Sequence, residues 1–142
     1  MSKQRGSGMA KERYYTDNTK VNEMLNAYAR QAQDGNVALS VDMMALQGDI
    51  PENLFYDVLA MAMEQAFNNC VNTTFKRNGR YVKIRTMACQ KQIFIKIQNS
   101  SDENIYDEKN LESIQKLLNT DKGYFKYSTK EDEKEMLIAM HI

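Results

Sequence analysis

The sequence predicts an α+β fold, a two-layer sandwich with helices on one face of a mixed, mostly antiparallel sheet. Three observations predict it: apolar residues recur at helical spacing in three segments, they alternate with polar ones at strand spacing in five, and the order is helix, strand, helix, two strands, helix, two strands.

The first helix is read from "DNTKVNEMLNAYARQAQDG", where Val21, Met24, Leu25, Tyr28 and Ala32 share one stripe and Gly35 marks the stop. "VALSVDM" follows as a strand, alternating Val37, Leu39, Val41 and Met43 with polar or small neighbours. Gly48 and Pro51, the only proline, mark a loop, and Pro51 suits the first turn of a helix running from about Glu52 to Asn72. Its apolar stripe is Phe55, Val58, Leu59, Ala62, Met63, Ala66, Phe67 and Cys70, while Asp57, Met61, Glu64, Asn68 and Asn72 line the other side.

After a turn at Asn78-Gly79, "YVKIRTMA" and "QIFIKIQN" read as two strands joined at Gln90–Lys91. "SSDENIYDEKN" is a polar loop without glycine, and the next helix carries Leu111, Ile114, Leu117 and Leu118 before Gly123 stops it. The last segment, "GYFKYSTKEDEKEMLIAMHI", gives two strands around the charged turn "KEDEK". Residues 1–16, opening on "MSKQRGSGM", are expected to be a disordered tail or an expression remnant, leaving 17–142 as a single domain.

Composition excludes some classes of function. Nineteen basic and nineteen acidic side chains cancel, so no global field draws in nucleic acid or an anionic membrane. Neither partner is expected. Lys76, Arg77, Arg80, Lys83 and Arg85 form a local basic patch, read as a solvated face. Cys70 and Cys89 lack metal-ligand spacing and read as buried thiols of a reducing compartment; with no apolar stretch of membrane length, a cytoplasmic location is expected. The ten methionines read as adaptable core filling.

Taken together, the element order and the stretches "DNTKVNEMLNAYARQAQDGNVALSV", "IPENLFYDVLAMAMEQAFNNC" and "IFIKIQN" resemble the ATP-binding domain of the GHKL superfamily. Within it they are most similar to the C-terminal domain of accessory-gene-regulator-type quorum-sensing sensor kinases. The resemblance runs from Asp17 to Ile142 and implies a histidine kinase-like ATPase domain of two-component signalling, with ATP and magnesium as cofactors.

It also implies site residues. Glu64 and Asn68 fall on the helix that carries the family's N box, where residues four apart share a face and can offer oxygens to one hydrated magnesium. Glu64 would be both metal ligand and the catalytic residue, Asn68 a ligand for metal and phosphate, and Asn99 a contact to the adenine edge. The departure lies at residues 100–109, "SSDENIYDEK", where the family supplies glycines for close approach of backbone to phosphate. Here there is no glycine, Asp102, Glu103, Asp107 and Glu108 face one Lys109, and Asn110-Leu111 stands in place of Gly-Leu. Weak or lost ATP binding is therefore expected; the alternative is an active magnesium–ATP domain phosphorylating a histidine elsewhere. The only histidine, His141, lies on the last strand, so the implied partners are upstream dimerisation and phosphoacceptor helices and a response regulator. The chain is expected to be a piece of a longer sensor or a stand-alone relative.

Overall fold

The computed structural model describes residues 12–43, 52–71, 79–101, 108–119, 123–130 and 132–141. Three helices, α1 (Thr19–Asp34), α2 (Glu52–Val71) and α3 (Glu108–Asn119), accompany five strands: β1 (Val37–Asp42), β2 (Arg80–Cys89), β3 (Gln92–Ser100), β4 (Tyr124–Thr129) and β5 (Glu133–His141). The strands form one sheet in the order β1-β2-β3-β5-β4. Only β1 and β2 are parallel, a pairing that needs a crossover, which α2 supplies; the remaining pairs are antiparallel, so the mixed α+β sandwich is as expected.

Period-2 alternation sends Val82 and Ile84 of β2, Ile93, Ile95 and Ile97 of β3, and Met136, Ile138 and Met140 of β5 inward. Against them α2 presents the stripe read from sequence, and every member from Phe55 to Cys70 is buried. A fully buried leucine or phenylalanine on such a stripe stabilises the fold by about 1.5–3 kcal/mol. Helix α1 closes the core with Val21 and Leu25, and Tyr28 stacks on Phe67 of α2 with ring centroids 4.7 Å apart.

The helix ends show the local chemistry. Asn18 caps α1, its side chain accepting from the Val21 N–H at 3.0 Å. Gly35 caps the other end at a φ of −91°, and it is Asn36 that takes the left-handed conformation at 56°. Residues 12–16, on the tail side of the expected boundary, lie along α1: buried Asn26 accepts from the Arg13 N–H and donates to the Arg13 carbonyl, both at 2.8 Å.

Two boundaries differ from the sequence reading. Helix α3 starts at Glu108, three residues before Leu111, because an acidic first turn suits the positive end of the helix and Asn110 is anchored to α2; polar residues carry no apolar period to show this. Strand β5 begins at Glu133, so Lys134 belongs to the strand and not to the charged turn. The expected loop at Gly48–Pro51, Lys76, Arg77, Asn78, the Cys89 side chain, and Asp102, Glu103 and Asp107 lie outside the described residues.

Candidate functional site

Helix α2 carries two polar pairs at i, i+4 spacing, and the helical twist sends them to different places. Glu64 and Asn68 are exposed on one flank. The Glu64 charge acts on Tyr28 of α1, whose phenol is pushed above its ordinary pKa by burial first and then by the Glu64 carboxylate, with Tyr56 adding to it.

One residue further on, a rotation of about 100° turns Gln65 and Asn69 inward, where both are buried. Gln65 Nε2 donates to Asn110 Oδ1 of α3 at 3.3 Å, and Asn110 Nδ2 donates to the Met61 carbonyl at 3.1 Å. Asn69 Nδ2 donates to the Gln65 carbonyl at 3.0 Å, and Asn69 Oδ1 accepts from Lys134 Nζ at 3.4 Å. Lys134 is 1% exposed, although lysine is rarely buried without a partner.

Asn99 stands directly across the ladder from Lys134 and from Val82. It too is 1% exposed; Nδ2 donates to the Ser100 carbonyl at 3.0 Å, while buried Oδ1 has no hydrogen-bond partner. Beside it, Ser100 Oγ accepts from the Tyr81 N–H at 3.0 Å and lies 3.4 Å from Cys70 Sγ. Burial pushes the Cys70 thiol pKa up, partly offset by the Ser100 contact. The Tyr81 hydroxyl donates to Glu133 at 2.7 Å.

Asn99 thus shares its side of the molecule with Gln65, Asn69, Asn110 and Lys134, whereas Glu64 and Asn68 share the solvent-facing flank. Among the described residues, no group of three or more histidine, cysteine or acidic side chains is placed to hold a metal ion. His141 is exposed, opposite Gln92.

The buried polar cluster was missed by sequence reasoning, although a signal existed for part of it. Lys134 is in phase with Met136, Ile138 and Met140, so period 2 alone points it inward. Asn69 carried a signal too: on the helical wheel it falls between Val58 and Ala62 of the apolar stripe, with Gln65 at the edge of that stripe, whereas Glu64 and Asn68 lie opposite it.

Three comparisons bear on the arrangement. No family model matches the chain, and no curated protein matches it. Solved structures do. The histidine kinase AdeS of Acinetobacter baumannii superposes with a TM-score of 0.66 at 14% identity, over 87% of this chain and 63% of that one. The nucleotide-free catalytic domain of the histidine kinase ThkA matches at 0.66 and 13%, over 87% and 92%. ThkA in complex with the response regulator TrrA matches at 0.66 and 13%, over 89% and 40%. The chain therefore has the fold of histidine kinase catalytic domains, and it spans less than two thirds of the AdeS chain.

Proposed function

We propose that this chain is a GHKL-type domain of two-component signalling, related to the accessory-gene-regulator type of sensor kinase, that has kept the fold and the base side of the site but lost the phosphate side. Glu64 and Asn68 are the remnant of the metal side and Asn99 the remnant of the adenine contact. Upstream helices and a response regulator are the proposed partners, supported by a kinase of the same fold that forms such a complex.

The observation that carries the reading is the difference in exposure between the two halves. A magnesium ion bridging phosphates needs several oxygen ligands converging with backbone donors. Glu64 and Asn68 lie exposed on one flank, while Asn99 is sealed beside buried Lys134. The carboxylates of residues 100–109 and the lack of glycine there add electrostatic and steric cost to a triphosphate. Magnesium–ATP does not fit these residues as a resident group.

One observation favours the alternative of an active domain: the buried, unpartnered Asn99 Oδ1 is an acceptor suited to the amino edge of a purine. Calorimetric titration with ATP and magnesium separates the readings. The expected dissociation constant is millimolar or weaker, about −4 kcal/mol, with no phosphate released. A value near or below about 10 μM, weakened by Asn68→Ala, overturns the proposal and establishes the active domain.

A further inference from the structure

The face of the sheet turned away from the helices is not uniformly polar. Cross-strand register sets Met87 beside Phe94, Phe94 beside Ala139 and Ala139 beside Tyr124, an apolar row crossing β2, β3, β5 and β4. Met87 is 53%, Phe94 40% and Tyr124 54% exposed, and these are three of the four exposed large hydrophobic side chains among the described residues. Scattered single exposures are ordinary; here three stand in one row across the sheet, with Ala139 between Phe94 and Tyr124.

Two residues along each strand runs a second row: Arg85 beside Lys96, Lys96 beside Leu137, Leu137 beside Lys126. Three cations therefore border the apolar row on one side. A concavity of about 380 Å³ lies between the rows, lined by Arg85, Met87, Phe94, Lys96, Tyr124 and Leu137 among others. Arg85 lies 3.6 Å from Asp42, both 68% exposed, and such a surface pair is weak; Lys96 lies 3.6 Å from Glu135, whose side chain is 12% exposed and also accepts from Gln98, so the Lys96 charge is met in part within the chain. No ion pair among the described residues involves Lys126.

We propose that this face docks an amphipathic helix of another polypeptide, its apolar stripe lying along the Met87–Tyr124 row and acidic side chains on one flank meeting Arg85, Lys96 and Lys126. The proposal does not depend on the nucleotide reading. Four strands span about 14 Å, the length of roughly ten helical residues. Charge complementarity selects the occupant. A flat anionic membrane or a nucleic acid backbone would also meet exposed Asp42, which borders Arg85, and the whole chain carries no net positive charge. A helix places its carboxylates only where the cations are, and an apolar side chain fills the concavity.

The test uses the full chain and two labelled synthetic helical peptides, with leucines at i, i+3, i+4 and i+7 and flanking residues all glutamate in one and all lysine in the other. Fluorescence anisotropy is expected to show the glutamate peptide binding at least tenfold more tightly, with binding weakened by added salt. Lys96→Glu/Lys126→Glu and, separately, Phe94→Ser are expected to weaken it at least tenfold, whereas Lys20→Glu on α1 leaves it unchanged. Circular dichroism confirms folding; should Phe94→Ser unfold, the charge-reversal pair decides alone. Equal binding of both peptides, no binding, or loss on Lys20→Glu overturns the proposal. So does preferential binding to phosphatidylserine vesicles, or a dimer in sedimentation that Phe94→Ser dissolves, which would assign the face to a membrane or to a second copy.

Discussion

Lys134 Nζ and Asn69 Oδ1 lie 3.4 Å apart with both side chains buried, joining the last strand to the inner flank of α2. A buried ammonium is costly unless its donors are met, so this contact ties two elements that apolar packing alone would leave free to slide. Asn69→Leu removes an acceptor of that ammonium and is expected to destabilise the fold by about 1–3 kcal/mol. Lys134→Met added to it is expected to cost less than the sum of the two single changes, because the group left uncompensated is then gone. Urea midpoints of the four proteins of the cycle give the coupling directly.

The close approach of Gly123 to the sheet yields a second expectation. Its N–H donates to the Leu118 carbonyl at 2.8 Å, and a Cβ placed there would stand 2.7 Å from the Ala139 carbonyl oxygen and 3.0 Å from Leu118 Cδ2. A backbone oxygen in a strand cannot swing aside as a side chain can. Gly123→Ala is expected to destabilise by about 1–3 kcal/mol, read as a lower urea midpoint; an unchanged midpoint would show that β4 and β5 shift freely there.

Much of this fold was legible because burial writes itself into period. All eight apolar positions assigned to α2, from Phe55 to Cys70, are buried, and the turn at Gln90–Lys91 falls where read, with Gln90 in the left-handed region at a φ of 57°. Apolar alternation could not mark Glu108 to Asn110 as helical, since the forces that hold them there are a favourable helix-end charge and one side-chain anchor, the Asn110 bond to Met61. The candidate site was less legible for a related reason. Which of two i, i+4 polar pairs on α2 turns inward depends on a 100° rotation that the helical wheel shows, but the decisive partner, Lys134, is distant in sequence.

Tyr81 supplies an expectation in pH. Burial first, then the hydrogen bond to Glu133 and its charge, raise the Tyr81 pKa above the ordinary 10.0. Above that value the unfolded chain gives up a phenolic proton that the native chain keeps, so the native state binds more protons and stability falls as pH rises. Below it the contribution is fully present. Tyr28 and Cys70, also raised, act in the same direction. Urea midpoints measured on the alkaline side are therefore expected to decline, and Tyr81→Phe is expected to reduce the slope by up to one proton. A slope identical in the variant would remove Tyr81 as a contributor.

The action of the Glu64 charge on Tyr28 makes Tyr28 a reporter on the proposed metal remnant. Burial is the larger cause of the raised phenol and the Glu64 carboxylate the second, so Glu64→Gln is expected to lower the Tyr28 pKa part of the way toward 10.0 while leaving the burial contribution in place. Ultraviolet titration of tyrosinate, differenced against Tyr28→Phe, measures it, and an unmoved pKa would place Glu64 too far from the ring to matter. The same geometry tests metal binding without nucleotide. Manganese, which takes the oxygen ligands of magnesium, would broaden the Tyr28 ring resonances at neutral pH if it settled on Glu64. Because Glu64 and Asn68 are exposed and no further acidic, histidine or cysteine side chain among the described residues completes a ligand group there, no selective broadening is expected at micromolar manganese. Selective broadening abolished by Glu64→Gln would show that the flank holds a metal by itself, and the proposed loss would then have to lie with the phosphate side alone.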